Sequence, residues 1–174
     1  MSALRPIADV WPPPGAPVRL LLVGINPGVR SAETGHHFAG KGNPFWRLLH
    51  AAGITPVLLA PEEDRRLLEW EIALTNLCPR PSRAAAELGR EEIREGALAL
   101  GAKIARLRPA LVCFVGVTLY AQYFGRSSGR GAGAMPETIH GARVFVVPNP
   151  SGLNASYPGF GDKLVWFRAL AAEL

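Results

Sequence analysis

Four short runs of branched apolar residues constrain this fold more than anything else in the chain. They lie at residues 18–25, 71–77, 111–115 and 143–147. Continuous apolar runs of this length suit strands buried on both faces, as in a parallel sheet covered by helices. Helical patterns alternate with them. Asn43 as N-cap and Pro44 in the first turn open a helix over residues 44–54. A short helix is expected at 62–68. The clearest is 91–107, where Ile93, Ala97, Leu100, Ile104 and Leu107 form one apolar stripe. Another follows at 117–124. A last helix runs from an Asp162 cap to Leu174, with Leu164, Phe167, Leu170, Ala171 and Leu174 facing inward. The alternation predicts an α/β three-layer sandwich with a central, mostly parallel four-stranded sheet. Residues 1–17 read as an irregular Pro-rich lead-in and 18–174 as a single domain, with loops at 28–42, 78–84 and 125–137.

The chain has 174 residues, enough for a full-sized core, and 48% hydrophobic residues argue against disorder. No run of about twenty apolar residues is present to span a membrane. The N-terminus lacks the charged start and apolar stretch of a signal peptide. A cytoplasmic protein is expected. Cys78 and Cys113 are the two cysteines, too few for a four-cysteine iron–sulfur cluster, and Cys113 sits in an apolar run as a core residue. The formal net charge is +5, and among the 19 basic residues only Lys41, Lys103 and Lys163 are lysines. Arginine suits bidentate contact with phosphate, so the balance is compatible with a nucleic-acid partner. High-GC coding would enrich the same residues, and the composition alone leaves both explanations open.

Two of the predicted strands run straight into loops rich in Gly, Pro and Asn. These are Gly24-Ile25-Asn26-Pro27-Gly28 and Asn149-Pro150-Ser151-Gly152-Leu153-Asn154. In a parallel sheet such loops gather at the carboxyl edge, where ligands bind. One composite site is therefore expected from both ends of the chain. The Asn26 amide can orient a water or a polar base edge but cannot ionise, so it is a poor general base. Gly28 would allow a close approach or a positive φ. The alternative is a plain Asx-Pro-Gly turn. A dinucleotide fingerprint would need a third glycine and an immediate helix, and a P-loop would need a following Gly-Lys-Ser/Thr. Phe38 lies among small and polar loop residues, where it can stack on a planar ligand or anchor the loop on the core. His36 and His37 have no third metal ligand at a sensible spacing, so neither a metal nor another cofactor is expected. Leu153, flanked by Gly and Asn outside any periodic pattern, can wedge into a base stack or pack under the following segment.

These pieces carry a resemblance when taken together. The segment at 24–28, the loop ending in Phe38-Ala39, Asn43 with Phe45-Trp46, Leu74-Thr75 and Leu77 with Arg80-Pro81, and residues 149–153 occur in order and at fitting spacing. From about residue 18 to the C-terminal helix the chain resembles the mismatch-specific uracil-DNA glycosylases and the related thymine-DNA glycosylases. The resemblance implies a monofunctional enzyme that flips deoxyuridine from the duplex and hydrolyses its N-glycosidic bond. Asn26 matches the residue that positions the attacking water. Ile25 and Phe38 match the base pocket, with Gly24, Ser31 and Asn76 as further pocket candidates. Gly152 and Leu153 match the wedge that contacts the orphaned guanine, with Asn149, Ser151 and Asn154 as strand contacts. Arg30, Lys41 and Arg80 are candidates for phosphate contact.

Two departures bear on substrate range. Asn154-Ala155 stands where the wedge loop often ends in an arginine, and Asn76 stands where a lysine occurs in a close relative. The expected partner is double-stranded DNA with a mismatched or damaged base, met by a monomer associated with the nucleoid, with no membrane contact. Single-stranded DNA, thymine and other damaged bases are left open as substrates. Two other classes compete. A DNA-binding scaffold that lost its chemistry would typically have replaced Asn26. A hydrolase of free nucleosides would have no use for a Leu153 wedge.

Overall fold

The computed structural model describes residues 3–127, 130–152 and 154–174. In chain order these form β1 (Leu20–Gly24), α1 (Val29–Thr34), α2 (Phe45–Ala51), a 3₁₀ segment (Pro61–Trp70), β2 (Ile72–Asn76), a 3₁₀ turn (Ala85–Glu87), α3 (Arg90–Leu107), β3 (Leu111–Val115), α4 (Val117–Tyr123), β4 (Gly133–Ile139), β5 (Ala142–Val147) and α5 (Phe160–Ala172). The strands make a sheet in the order β2-β1-β3-β5-β4. The first four are mutually parallel, and β4 runs antiparallel to β5.

Strand alternation divides the core in two. All five residues of β1 are buried. Leu20 and Leu22 point into a cluster with Phe45, Trp46 and Leu48 of α2 and Phe167 and Leu170 of α5. Leu21 and Val23 point the other way, onto Leu100 and Ile104 of α3 and Leu119 and Tyr120 of α4. Each such leucine contributes roughly 1.5–3 kcal/mol through the apolar area removed from water. The result is the expected three-layer α/β sandwich, and its parallel strands deliver four carboxyl ends to one edge.

The sheet has five strands among the described residues, not four. The fifth, β4, begins inside the loop expected at 125–137 and runs two residues past it. Its sequence Gly133-Ala134-Met135-Pro136-Glu137-Thr138-Ile139 alternates between half-buried and exposed for most of its length, so no apolar run marks it. The second difference is α1, within residues expected to be loop. It is only six residues long and buries Ser31 alone, so it carries no apolar stripe. Two helix starts also shift. α2 begins at Phe45, whose N–H donates to Asn43 Oδ1 at 3.0 Å. α5 begins after Gly159, and Asp162 reaches back to accept the Gly159 N–H at 2.8 Å instead of standing first.

The Pro-rich lead-in is tied to the sheet. Val10 and Leu74 exchange antiparallel backbone hydrogen bonds of 2.9 and 3.0 Å. Asp9 accepts from Thr75 Oγ1 at 2.7 Å and pairs with Lys103 Nζ at 2.6 Å. Among the described residues, no helix is long and apolar enough to cross a membrane.

Candidate active site

The first loop leaves β1 beside the end of β2, where Gly24 and Asn76 are register partners. Backbone bonds then join the two following segments. Leu77 N–H donates to Gly24 O, Cys78 N–H to Ile25 O, and Ser82 N–H to Pro27 O, at 2.8, 2.8 and 3.1 Å. This pairing brings residues 80–82 under Asn26. The Asn26 amide nitrogen donates to Arg80 O at 2.9 Å and to Ser82 Oγ at 2.8 Å. Ser82 Oγ spends its own proton on Ala84 O at 2.8 Å. A carbonyl can only accept, and a hydroxyl already donating elsewhere must accept, so the amide orientation is fixed. Asn26 Oδ1 receives no hydrogen bond from the described residues and remains available as an acceptor.

A side chain at Gly24 would push Asn76 aside. A Cβ at this position would lie 2.5 Å from Asn76 Oδ1 and 3.3 Å from Phe38 Cζ. The amide of Asn76 and the ring of Phe38 thus converge on the bare backbone of β1. Phe38 stacks on Phe45 with ring centroids 3.8 Å apart and planes 17° from parallel. Its φ of 49° is left-handed, a conformation costing an aromatic residue about 1–3 kcal/mol. Phe38 is therefore a core anchor whose ring edge also reaches the backbone of Gly24. Ser31 has a supporting place instead of the expected pocket lining. It is buried, and its Oγ accepts the Ala39 N–H at 3.1 Å, fixing the residue after Phe38.

The second loop follows β5. Asn149 Oδ1 accepts the Ser151 N–H at 2.9 Å, Asn154 Nδ2 donates to Asn149 O at 3.1 Å, and Asn154 Oδ1 accepts the Ser156 N–H at 3.2 Å. Both loops border one cleft of about 660 Å³. Ile25 lies on one side, Asn149, Ser151 and Asn154 on the other, with Val115 and Gly116 at the end of β3 between them. Leu153 lies outside the described residues. Gly152 meets nothing within 4 Å of a Cβ position, so the fold itself does not demand glycine there. The same holds at Gly28, whose φ of −72° is ordinary; neither crowding nor a positive φ explains it.

Over most of its length the chain matches one known superfamily. The family model of the uracil DNA glycosylase superfamily matches residues 13–173. The chain belongs to the uracil DNA glycosylase superfamily. Membership implies a DNA glycosylase, a hydrolase that acts on DNA in base-excision repair. Among solved structures, the solution NMR structure of a presumptive uracil DNA glycosylase from Methanosarcina acetivorans is similar in fold. It is 22% identical, with a TM-score of 0.62 over 98% of this chain and 99% of that one.

For a superfamily member, the placement of basic residues matters next. Lys41 is exposed, with no ion pair among the described residues, and Arg30 makes only a long 3.7 Å contact with Glu33. Arg80 differs. It is bound to Glu92 at 2.8 Å and to Glu87 O at 2.8 Å, which holds Glu92 below the usual carboxylate range. Its backbone carbonyl serves Asn26, while its half-exposed side chain is paired with Glu92. Burial pushes the Cys78 thiol up to about 11, leaving it protonated. Among the described residues no three His, Cys, Asp or Glu side chains form a group that could hold a metal ion.

Sequence reasoning missed Ser82 and Asp64. Ser82 holds Asn26 across 56 residues of chain, a separation that spacing does not reveal. Asp64, 3% exposed in the 3₁₀ segment, follows Glu62 and Glu63, and nothing in that acidic run marks it out.

Proposed function

We propose that this protein is a monofunctional glycosylase of the mismatch-specific type, removing uracil from G·U mismatches in duplex DNA and leaving an abasic site. The observation that carries the reading is Asn26, whose nitrogen is held twice by the protein while its oxygen stays unclaimed among the described residues. An acceptor fixed in this way can take a hydrogen bond from a water and aim its lone pair at the anomeric carbon. Proximity and orientation of that kind account for much of a hydrolytic rate. The amide accepts no proton, so turnover is slower than with a carboxylate there.

Flipping brings the base to the convergence of Gly24, Phe38 and Asn76. The ring of Phe38 offers a stacking surface, and the Asn76 amide can donate to and accept from the polar edge of uracil. Ile25 closes the pocket toward the cleft. Leu153, on Gly152, fills the gap left in the stack, and Asn149, Ser151 and Asn154 shape the loop that meets the opposing strand. Arg30 and Lys41 serve the phosphates. The protein works as a monomer in the cytoplasm on nucleoid DNA, needing no metal.

The test is a cleavage panel without added metal: uracil, thymine, hypoxanthine and ethenocytosine, each opposite guanine and adenine and in single strands. Abasic sites in G·U duplex, persisting in excess EDTA, are expected. Excision only from single strands, or none at all, would overturn the reading.

A further inference from the structure

Phe38 needs outside support to keep its left-handed backbone and its place against Gly24. The support converges on one carboxyl group. Asp64, buried at 3% exposure, accepts the His37 N–H on Oδ2 at 3.1 Å and meets His36 Nδ1 with Oδ1 at 3.3 Å. Both partners immediately precede Phe38. The rest of the clamp leaves His37 little freedom: its Nε2–H donates to Ala8 O at 2.9 Å, and Trp46 Nε1 donates to its carbonyl at 3.2 Å. A buried carboxyl is expensive to desolvate unless its acceptors are used. Asp64 uses both, and on the same two loop residues. Nothing in the fold of the 3₁₀ segment requires this, because that segment's own N-terminal cap comes from Glu63, which accepts the Ala60 N–H at 2.9 Å.

We infer that Asp64 is a positioning residue for base excision, acting through Phe38. It holds the His37 backbone and the His36 ring so that the following Phe38 ring lies against Gly24, beside Asn76, before any base arrives. This rests on the reading of Phe38 as the base-stacking residue. Asp64 touches no substrate itself. Its contribution is a ring already in place, which a flipped base would otherwise have to order on arrival.

The experiment is a double-mutant cycle with Asp64→Ala and Phe38→Ala. It reads single-turnover excision of uracil from a G·U duplex at saturating enzyme, below the melting temperature of every variant. Asp64→Ala should slow the single-turnover rate about tenfold, in line with the cost of small misplacements at a site. Affinity for the same duplex without uracil should stay within about twofold. In the Phe38→Ala background the same change should cost less than about twofold, since coupled residues are non-additive. Asp64→Asn keeps an acceptor for the His37 N–H and should recover part of the rate; it also serves if the alanine variant does not fold. An unchanged rate in the Asp64 variants, or an equal loss with and without Phe38, would overturn the inference. If the wild type excises nothing, the glycosylase reading fails separately. The hold on the loop is then judged by amide hydrogen exchange in Asp64→Ala, which removes both acceptors, or in Asp64→Leu if the alanine variant does not fold. Faster exchange at His37 and Ala39 would keep it, and unchanged exchange would end it.

Discussion

The two loops at the sheet edge are built in opposite ways. The first is held by distant chain: Asn26 bonds to Arg80 and Ser82, 54 and 56 residues away, and three backbone bonds tie its neighbours to the segment after β2. The second is shaped by bonds that reach two to five residues, from Asn149 to Ser151, Asn154 to Asn149, and Ser156 to Asn154. Tyr157 provides a link outward, accepting the Ala132 N–H at 3.4 Å. Long-range bonds fix a group relative to the whole core, as orientation of a water demands. Local bonds give a loop its own shape while leaving its approach to a partner adjustable. On the proposed function, that division would suit a site rigid where a bond breaks and adaptable where a duplex is met.

The largest break in this comparison should come at Asn26. Asn26→Ala is expected to lower single-turnover excision a hundredfold or more while duplex binding persists, since it removes an oriented catalytic group. Near-wild-type rates would show that the rigid loop is not the reacting one. Ser82→Ala sharpens the claim that the hold itself matters. Asn26 keeps Arg80 O but loses the hydroxyl, and the excision rate should fall about threefold to tenfold, the scale of one net hydrogen bond. A change in binding with no change in rate would contradict it.

Leu153→Ala probes the second loop. Duplex excision should slow about threefold while single-strand excision is unaffected, because an inserted apolar side chain offsets only part of a few kcal/mol of unstacking. If single strands are not cleaved, a bulged duplex is the comparison substrate. An unchanged ratio with a lowered Tm would assign Leu153 to packing. The smallest effect is a pH slope. Burial is the main cause holding His37 below its ordinary 6.5, against the opposing bond to Ala8 O and the nearby Asp64 and Asp9. Between the lowered native value and 6.5 the unfolded chain binds more protons, so stability is complete above 6.5 and declines as pH falls through that window. The Tm should drop by a few degrees from about pH 7.5 to 5.5, at about 2–4 °C per kcal/mol. His37→Gln should flatten that slope, and an equal slope in the variant would remove His37 as its source.

What the sequence disclosed follows from the range of the forces involved. The parallel strands were legible because burial on both faces leaves a continuous apolar run, as in Leu20-Leu21-Leu22-Val23. β4 was not, because an edge strand with one wet face, a glycine and Pro136 leaves no such mark. Asn26 was legible from its place after a strand. Its holders were not, since Ser82 and Arg80 O reach it only after β1 and β2 pair. Arg80 shows the same limit: its ion pair with Glu92, twelve residues on, is not visible in the sequence.

The short bridge between Val10 and Leu74 has a consequence for the protein's life in a crowded cell. An unpaired strand edge invites a second chain to add to it, the first step toward aggregation. Here β2 would be such an edge, and the lead-in covers part of it with two backbone bonds. The opposite edge, β4, is guarded by other means. Pro136 offers no N–H, and the register shifts between Met135 and Thr138. Both flanks of the sheet are thus partly guarded against self-templating. A chain shortened past Val10 would lose the cover on one flank, leaving β2 open to pairing with its own copies.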